Sequence, residues 1–147
     1  MRAKIFTGKG RVGKTRVANM ISEYVGKNKT FFLCARSKTR SFKDNPFLFA
    51  GMPDDTELLI VDDCPLNFDY SFFFPVEDQR YAGGDLRYRL TINEQCKPKR
   101  EILIPQIIFT TSHLHKKWFK AGASFHARFE IVEFPLSKKS TVLNELI

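Results

Sequence analysis

Long apolar runs are missing from this chain of 147 residues. None approaches the roughly 18 residues that a membrane-spanning helix requires, and the opening MRAKIFTGKG holds no apolar stretch of signal-peptide length. A cytoplasmic protein without a membrane partner is expected. Cysteine is scarce too. Cys34, Cys64 and Cys96 are odd in number and far apart, which argues against a disulfide framework or a zinc spacing and leaves reduced, structural thiols. Acidic residues are in the minority, 16 against 24 lysines and arginines, for a net charge of +8 and a pI near 9.5. Such a surface draws polyanions, whether nucleic acid, an acidic membrane or nucleotide phosphates, and charge does not choose among them. Internal repeats and low-complexity tracts are lacking as well.

What is present is an ordinary globular balance, 43% apolar and 27% charged, in a length that suits one domain over residues 1–147. Apolar runs of strand length occur at Ala3 to Phe6, in TFFLCA from Thr30, in ELLIVDD from Glu57 and in QIIFTT from Gln106. Each is continuous rather than alternating, the pattern of strands covered on both faces of a mostly parallel sheet. A fifth run, RFEIVEF, alternates less cleanly and suits an edge. Val17, Met20, Ile21, Tyr24 and Val25 recur at helical spacing, and Gly26 supplies a stop. The expected fold class is α/β, with about five mostly parallel strands and flanking helices. Two connections are long. Residues 36–55 are polar, and the segment from Cys64 to Pro105, about forty residues, exceeds a plain crossover. Within it RYAGGDLRYRLTINEQCKPKREILI reads as strands with turns at Gly83-Gly84 and around Lys97-Pro98, hence a β-hairpin insertion.

Glycine is sparse, eight residues in all, yet three of them fall between Gly8 and Gly13. Gly8, Lys9, Gly10, Arg11, Val12, Gly13, Lys14 and Thr15 satisfy the phosphate-loop pattern G-x-x-x-x-G-K-[ST] without mismatch. In that pattern glycines let backbone N–H groups converge on phosphates at a helix N-terminus. The lysine, Lys14, reaches the outer phosphates, and the Thr15 hydroxyl ligates Mg²⁺. A nucleotide with Mg²⁺ is therefore expected. Asp62 and Asp63 close the LLIV strand, at the sheet edge where α/β folds bind ligands. Asp62 is expected to hold the metal with Thr15, and Asp63 to orient the attacking water.

Thr110, Thr111, Ser112 and His113 emerge from the QIIF strand in position to meet the γ-phosphate or the water, although Ser and Thr also cap whatever follows a strand. Arg128 precedes the last strand, either as a boundary arginine that stabilises transition-state charge or as a solvated surface residue. Arg87, Arg89, Lys97, Lys99 and Arg100, interleaved with Tyr81 and Tyr88, form the best nucleic-acid candidate, since cations track a phosphate backbone and aromatics stack on bases. An ordinary basic face has the same composition. The aromatic cluster FDYSFFF, Phe68 to Phe74, suits the core or a subunit interface.

Two families share parts of this order. The loop GKGRVGKT resembles the deviant Walker A of the ParA and MinD ATPases, whose signature lysine would fall on Lys9. Arg11 stands where that family has glycine, FFLCAR lacks its aspartate, and the match covers eight residues. Over most of the chain, the A motif Gly8 to Thr15, the LLIVDD B motif, the basic hairpin, IPQIIFTTSH and an arginine before a final strand resemble the superfamily 3 helicases. These are replication ATPases of small DNA viruses and plasmids. The resemblance implies a P-loop NTPase that hydrolyses ATP with Mg²⁺ and assembles as a homo-oligomeric ring. It would act on single-stranded or duplex DNA in the replication of a virus, plasmid or mobile element, in the cytoplasm or on host-cell nucleic acid. The resemblance also implies a channel lysine at Lys97 or Lys99 and an arginine finger at Arg128. It further implies that the QIIF strand separates the loop strand from the LLIV strand, which are neighbours in nucleotide kinases. His113 departs from the family asparagine. The family's origin-binding domain and helical collar have no counterpart here, which implies a separate DNA-loading or replication-initiation protein. Two other classes use the same loop: a small-molecule kinase, with Arg36 to Arg40 in a lid, and a nucleotide-dependent switch with little turnover.

Overall fold

A computed structural model of the chain describes residues 2–35, 47–66, 68–73, 76–78, 86–113 and 122–135. Its elements are β1 (Ala3–Thr7), α1 (Lys14–Val25), β2 (Thr30–Cys34), β3 (Leu58–Cys64), β4 (Val76–Asp78), β5 (Leu86–Ile92), β6 (Arg100–Ile104), β7 (Gln106–Thr111), α2 (Ala123–Arg128) and β8 (Phe129–Glu133). Short 3-10 turns lie at Lys27–Lys29 and Tyr70–Phe73. Arg36 to Arg40, Phe74, Tyr81 and the Gly83-Gly84 turn lie outside the described residues.

Five strands form one sheet in the order β2-β3-β7-β1-β8, and every pairing in it is parallel. RFEIVEF supplies the edge strand β8, as its weaker pattern suggests. TFFLCA supplies the other edge, despite a continuous apolar run, and its Phe32 is 49% exposed. The QIIF strand, β7, lies between β1 and β3.

Alternation along the strands divides the core in two. Phe6, Leu58, Ile60 and Ile108 face α1, which buries Ala18 and Ile21 against them. Gly26 ends this helix at φ 115°, and its N–H returns to the Ser22 carbonyl at 2.8 Å. Ile5, Leu59, Val61, Ile107 and Phe109 point the other way. There the expectation of a flanking helix gives way to a sheet. β4, β5 and β6 form an antiparallel sheet whose Tyr88, Leu90, Ile92, Ile102 and Ile104 join that second core. The reason is the period of two in LRYRLTI, where apolar residues alternate with Arg87 and Arg89, a pattern that fits one buried sheet face and no helix; in REILI, Ile102 and Ile104 turn inward while Leu103 is exposed. Tyr70 and Phe73 from the aromatic cluster are core residues, with ring centroids 5.2 and 5.0 Å from that of Phe109.

Polar groups fasten the two layers. The buried Tyr88 hydroxyl accepts the Ala3 N–H at 2.7 Å and donates to the carbonyl of Arg128, tying β5 to the start of β1 and the end of α2. Lys4 is buried, and its ammonium pairs with Glu130, its register partner on β8, so the charge is compensated. The three cysteines are free thiols, and burial pushes the Cys64 thiol pKa up. Among the described residues no helix is long and apolar enough to cross a membrane.

Candidate functional site

The loop between β1 and α1 is built around close backbone approach. Gly8 has φ 153°, and a Cβ there would sit 2.6 Å from the carbonyl oxygen of Phe134, whose own N–H donates to Thr7 O at 2.7 Å. This glycine is therefore needed for packing as well as for any ligand. Arg11 and Gly13 adopt left-handed backbone at φ 63° and 97° and turn the chain into α1. Gly13 caps the helix with no side-chain oxygen, and no acidic residue lies in the first turn. The first-turn N–H groups therefore lack the side-chain acceptor that Ser, Thr or Asp would supply, and they carry the positive end of the helix dipole. A cleft of 360 Å³ opens here, lined by Arg11, Gly13, Lys14, Thr15 and Arg16. Its lining is cationic and it lies at a helix N-terminus, a setting that suits an anion.

Lys14 is buried, and its ammonium donates to the carbonyl of Gly8 and, at 2.7 Å, to that of Lys9. Burial holds its pKa below the ordinary lysine value, and the nearby Asp63 and Asp62 charges partly offset this. The Thr15 hydroxyl donates to Asp62 Oδ1 at 3.1 Å, which links the start of α1 to the end of β3, two strands away from β1 in the sheet. Asp62 Oδ1 accepts a second bond from Thr110 Oγ1 at 2.6 Å. Asp63 has φ 59°, and its N–H donates to Thr110 Oγ1 at 2.8 Å. Loop, helix start and both carboxylates thus meet at the C-terminal edge of the parallel sheet.

The end of β7 divides. Thr110 and Thr111 are buried and bonded within the protein, Thr111 Oγ1 donating to the Cys64 carbonyl at 2.9 Å. Ser112 and His113 are exposed at the same edge as the loop. The backbone of His113 is held from both sides, by Thr7 Oγ1 on its carbonyl at 2.7 Å and by Thr111 Oγ1 on its N–H at 3.2 Å. Arg128 stands elsewhere. It precedes Phe129, which pairs with Ala3 at the first residue of β1, whereas the loop follows Thr7. About 13 Å of strand separates the two ends, so Arg128 does not belong to the site of its own chain.

The basic hairpin carries less free charge than its composition suggests. Arg100 bonds Asp54, the Met52 carbonyl and, at 3.2 Å, Glu94 Oε1. Lys97 pairs with Glu94 Oε2 at 3.1 Å, and Arg89 lies 4.0 Å from Glu101. The Gly51 N–H, Lys97 and Arg100 together hold the Glu94 carboxyl down to about 2. Of the five cations expected at a nucleic-acid surface, Arg100 has its guanidinium anchoring the base of the hairpin to residues 52–54. Arg87 and Lys99 are left without an ion-pair partner among the described side chains.

The chain is similar to the NrS-1 C-terminal region. Two solved structures of that region in its A form, without ligand, align with 99% of this chain. One, spanning residues 305–718, does so at 14% identity with a TM-score of 0.48 over 32% of its own length, and the other at 12% identity and 0.47 over 33%. The chain therefore spans about a third of the length of those structures. No protein-family model and no curated protein matches it.

The role of Thr110 was not visible in the sequence. Reading along the chain groups it with Thr111, Ser112 and His113, facing a ligand. In the fold its hydroxyl turns sideways to the neighbouring strand and contacts both aspartates. The one available signal was that it is the first polar residue after the buried run IIF. Thr7 gave a similar signal at the end of β1 and serves His113 in the same way.

Proposed function

We propose that this chain binds ATP with Mg²⁺ through residues 8–15 and hydrolyses it, as a helicase-like P-loop ATPase that assembles head to tail and works on DNA. The observation that carries the reading is the Thr15 to Asp62 hydrogen bond at 3.1 Å beside the buried Lys14. It joins one hydroxyl and one carboxylate from separate elements, a donor set that suits Mg²⁺, which takes few protein ligands and keeps waters and phosphate oxygens. When bound, Mg²⁺ neutralises charge on the phosphoryl oxygens. Lys14 and the first-turn amides of α1 would hold the phosphates, the Lys14 ammonium exchanging loop carbonyls for phosphate oxygens. Asp63 would orient the water, and Ser112 and His113 lie at the same edge to contact it or the terminal phosphate.

The strand order favours this reading over a nucleotide kinase, in which the loop strand and the LLIV strand are neighbours; here β7 intervenes. Arg128, at the far edge, would serve only the site of a neighbouring subunit, which requires a heterologous interface that closes as a ring. Lys99 is the better channel lysine, because Lys97 is paired with Glu94. A separate DNA-loading or replication-initiation protein would complete the assembly. Steady-state ATP hydrolysis over a range of protein concentrations, with and without single-stranded DNA and beside Lys14→Ala, tests the whole proposal. Turnover that rises with concentration and DNA supports it. Turnover that stays negligible while ATP still raises the melting temperature points to a switch. A phosphorylated small-molecule product points to a kinase.

A further inference from the structure

The register of β3 against β7 slips at the two carboxylates. Val61 lies opposite Phe109 and Cys64 opposite Thr111, so three steps along β3 answer two along β7. The extra residue makes a bulge, with Asp63 taking the left-handed conformation at φ 59°. A bulge costs the ladder a backbone partner. Here the Asp63 N–H finds the Thr110 hydroxyl at 2.8 Å instead. That hydroxyl has one proton, and with the amide occupying a lone pair the proton goes to Asp62 Oδ1 at 2.6 Å. Thr110 is 2% exposed, so water does not compete for these bonds. Asp62 Oδ1 also accepts from Thr15, while Oδ2 has no hydrogen bond among the described residues.

We infer that Thr110 is a positioning residue for the metal: by saturating Oδ1 of Asp62 and closing the bulge that carries Asp63, it fixes the carboxylate so that Oδ2 is offered to Mg²⁺. The inference rests on reading the loop and Asp62 as a Mg²⁺·ATP site. A direct chain of donors, Asp63 N–H to Thr110, then Thr110 O–H to Asp62, makes both aspartates depend on one side chain. Partners of this kind commonly change metal affinity about 10- to 100-fold without touching the metal.

The test is Mg²⁺ titration of the binding of a fluorescent ATP analogue to the full chain, repeated in EDTA, for wild type, Thr110→Val and Thr110→Ser. Valine keeps the volume and removes the hydroxyl, and serine retains it. The expected result is a Mg²⁺ half-saturation raised about tenfold or more by valine, restored to within about twofold by serine, with analogue affinity in EDTA the same in all three. If valine does not fold, Thr110→Ala carries the same expectation. An unchanged Mg²⁺ half-saturation in valine overturns the inference, and so does a loss of analogue binding in EDTA, which marks a general collapse of the site. A wild type that binds no analogue, or binds it without any effect of Mg²⁺, overturns the reading of the site itself and the inference with it.

Discussion

Tyr88→Phe removes a single oxygen from the centre of the fold, and its cost follows from two hydrogen bonds. The phenol ring is fully buried, and phenylalanine preserves its packing against the second core. The hydroxyl accepts the Ala3 N–H at 2.7 Å and donates to the Arg128 carbonyl. Ala3 is itself fully buried, so its amide is left without water or partner, at a cost of about 1–3 kcal/mol. Arg128 is half-buried, so water replaces part of what its carbonyl loses, and the net loss there is about 0.5–1.5 kcal/mol. The sum is about 1.5–4.5 kcal/mol. For a chain of this length that lowers the melting temperature by roughly 3–18 °C. Urea unfolding followed by circular dichroism should show a lower midpoint with an unchanged slope. Tyr24→Phe, at a residue 67% exposed, is the control and should move little. A loss below about 0.5 kcal/mol for Tyr88→Phe would refute the view that this hydroxyl fastens the small sheet to β1 and α2.

Five further outcomes are expected. Gly8→Ala should destabilise the fold by about 1–3 kcal/mol even in the absence of nucleotide, because its Cβ meets the Phe134 carbonyl oxygen, and thermal melting checks this. Gly10→Ala, with nothing near its Cβ, should melt like wild type. Glu94 contributes stability through a carboxyl held at about 2 against an ordinary 4.5. That contribution is complete above pH 4.5 and is lost as the pH falls towards 2, so the stability gap between wild type and Glu94→Gln should close across that window in acid titrations followed by circular dichroism. Lys99→Ala should weaken single-stranded DNA binding and flatten its salt dependence by about one counterion, as read by fluorescence anisotropy at several salt concentrations. Arg100→Ala should instead lower the melting temperature, since its guanidinium is bonded to Asp54, Glu94 and the Met52 carbonyl.

Local chemistry was legible wherever neighbours in sequence are neighbours in space. The apolar runs at Ala3, Leu58 and Gln106 read as buried parallel strands because their covering is continuous on both faces, and the fold places them at the centre of the sheet. The glycine pattern at 8–13 and the stop at Gly26 carry their backbone demands in the residue type itself. Contacts between distant segments were not legible. Nothing local to Arg100 reveals Asp54, 46 residues away, so the ion pair that holds its guanidinium is invisible along the chain. The bulge at Asp62 and Asp63 depends on the register against β7, and Thr110 lies 47 residues from Asp63. The hydrophobicity of TFFLCA predicts a doubly covered strand, yet strand order puts it at an edge, and strand order is a tertiary property. The layer over the second face is likewise a tertiary property. LRYRLTI announces a strand by its alternation, but only packing shows that this strand takes the place of a helix over the second face.

Calorimetric titration of Mg²⁺·ATP into wild type, Lys14→Ala and Asp62→Asn tests the central claim most directly. The account predicts binding by wild type that weakens when Mg²⁺ is withheld, and a loss of affinity of about tenfold or more, roughly 1.4 kcal/mol, in each variant. For Asp62→Asn the loss should vanish in EDTA, since that side chain acts through the metal, whereas for Lys14→Ala it should persist. No binding by wild type, or equal binding by all three proteins with and without Mg²⁺, would contradict the account.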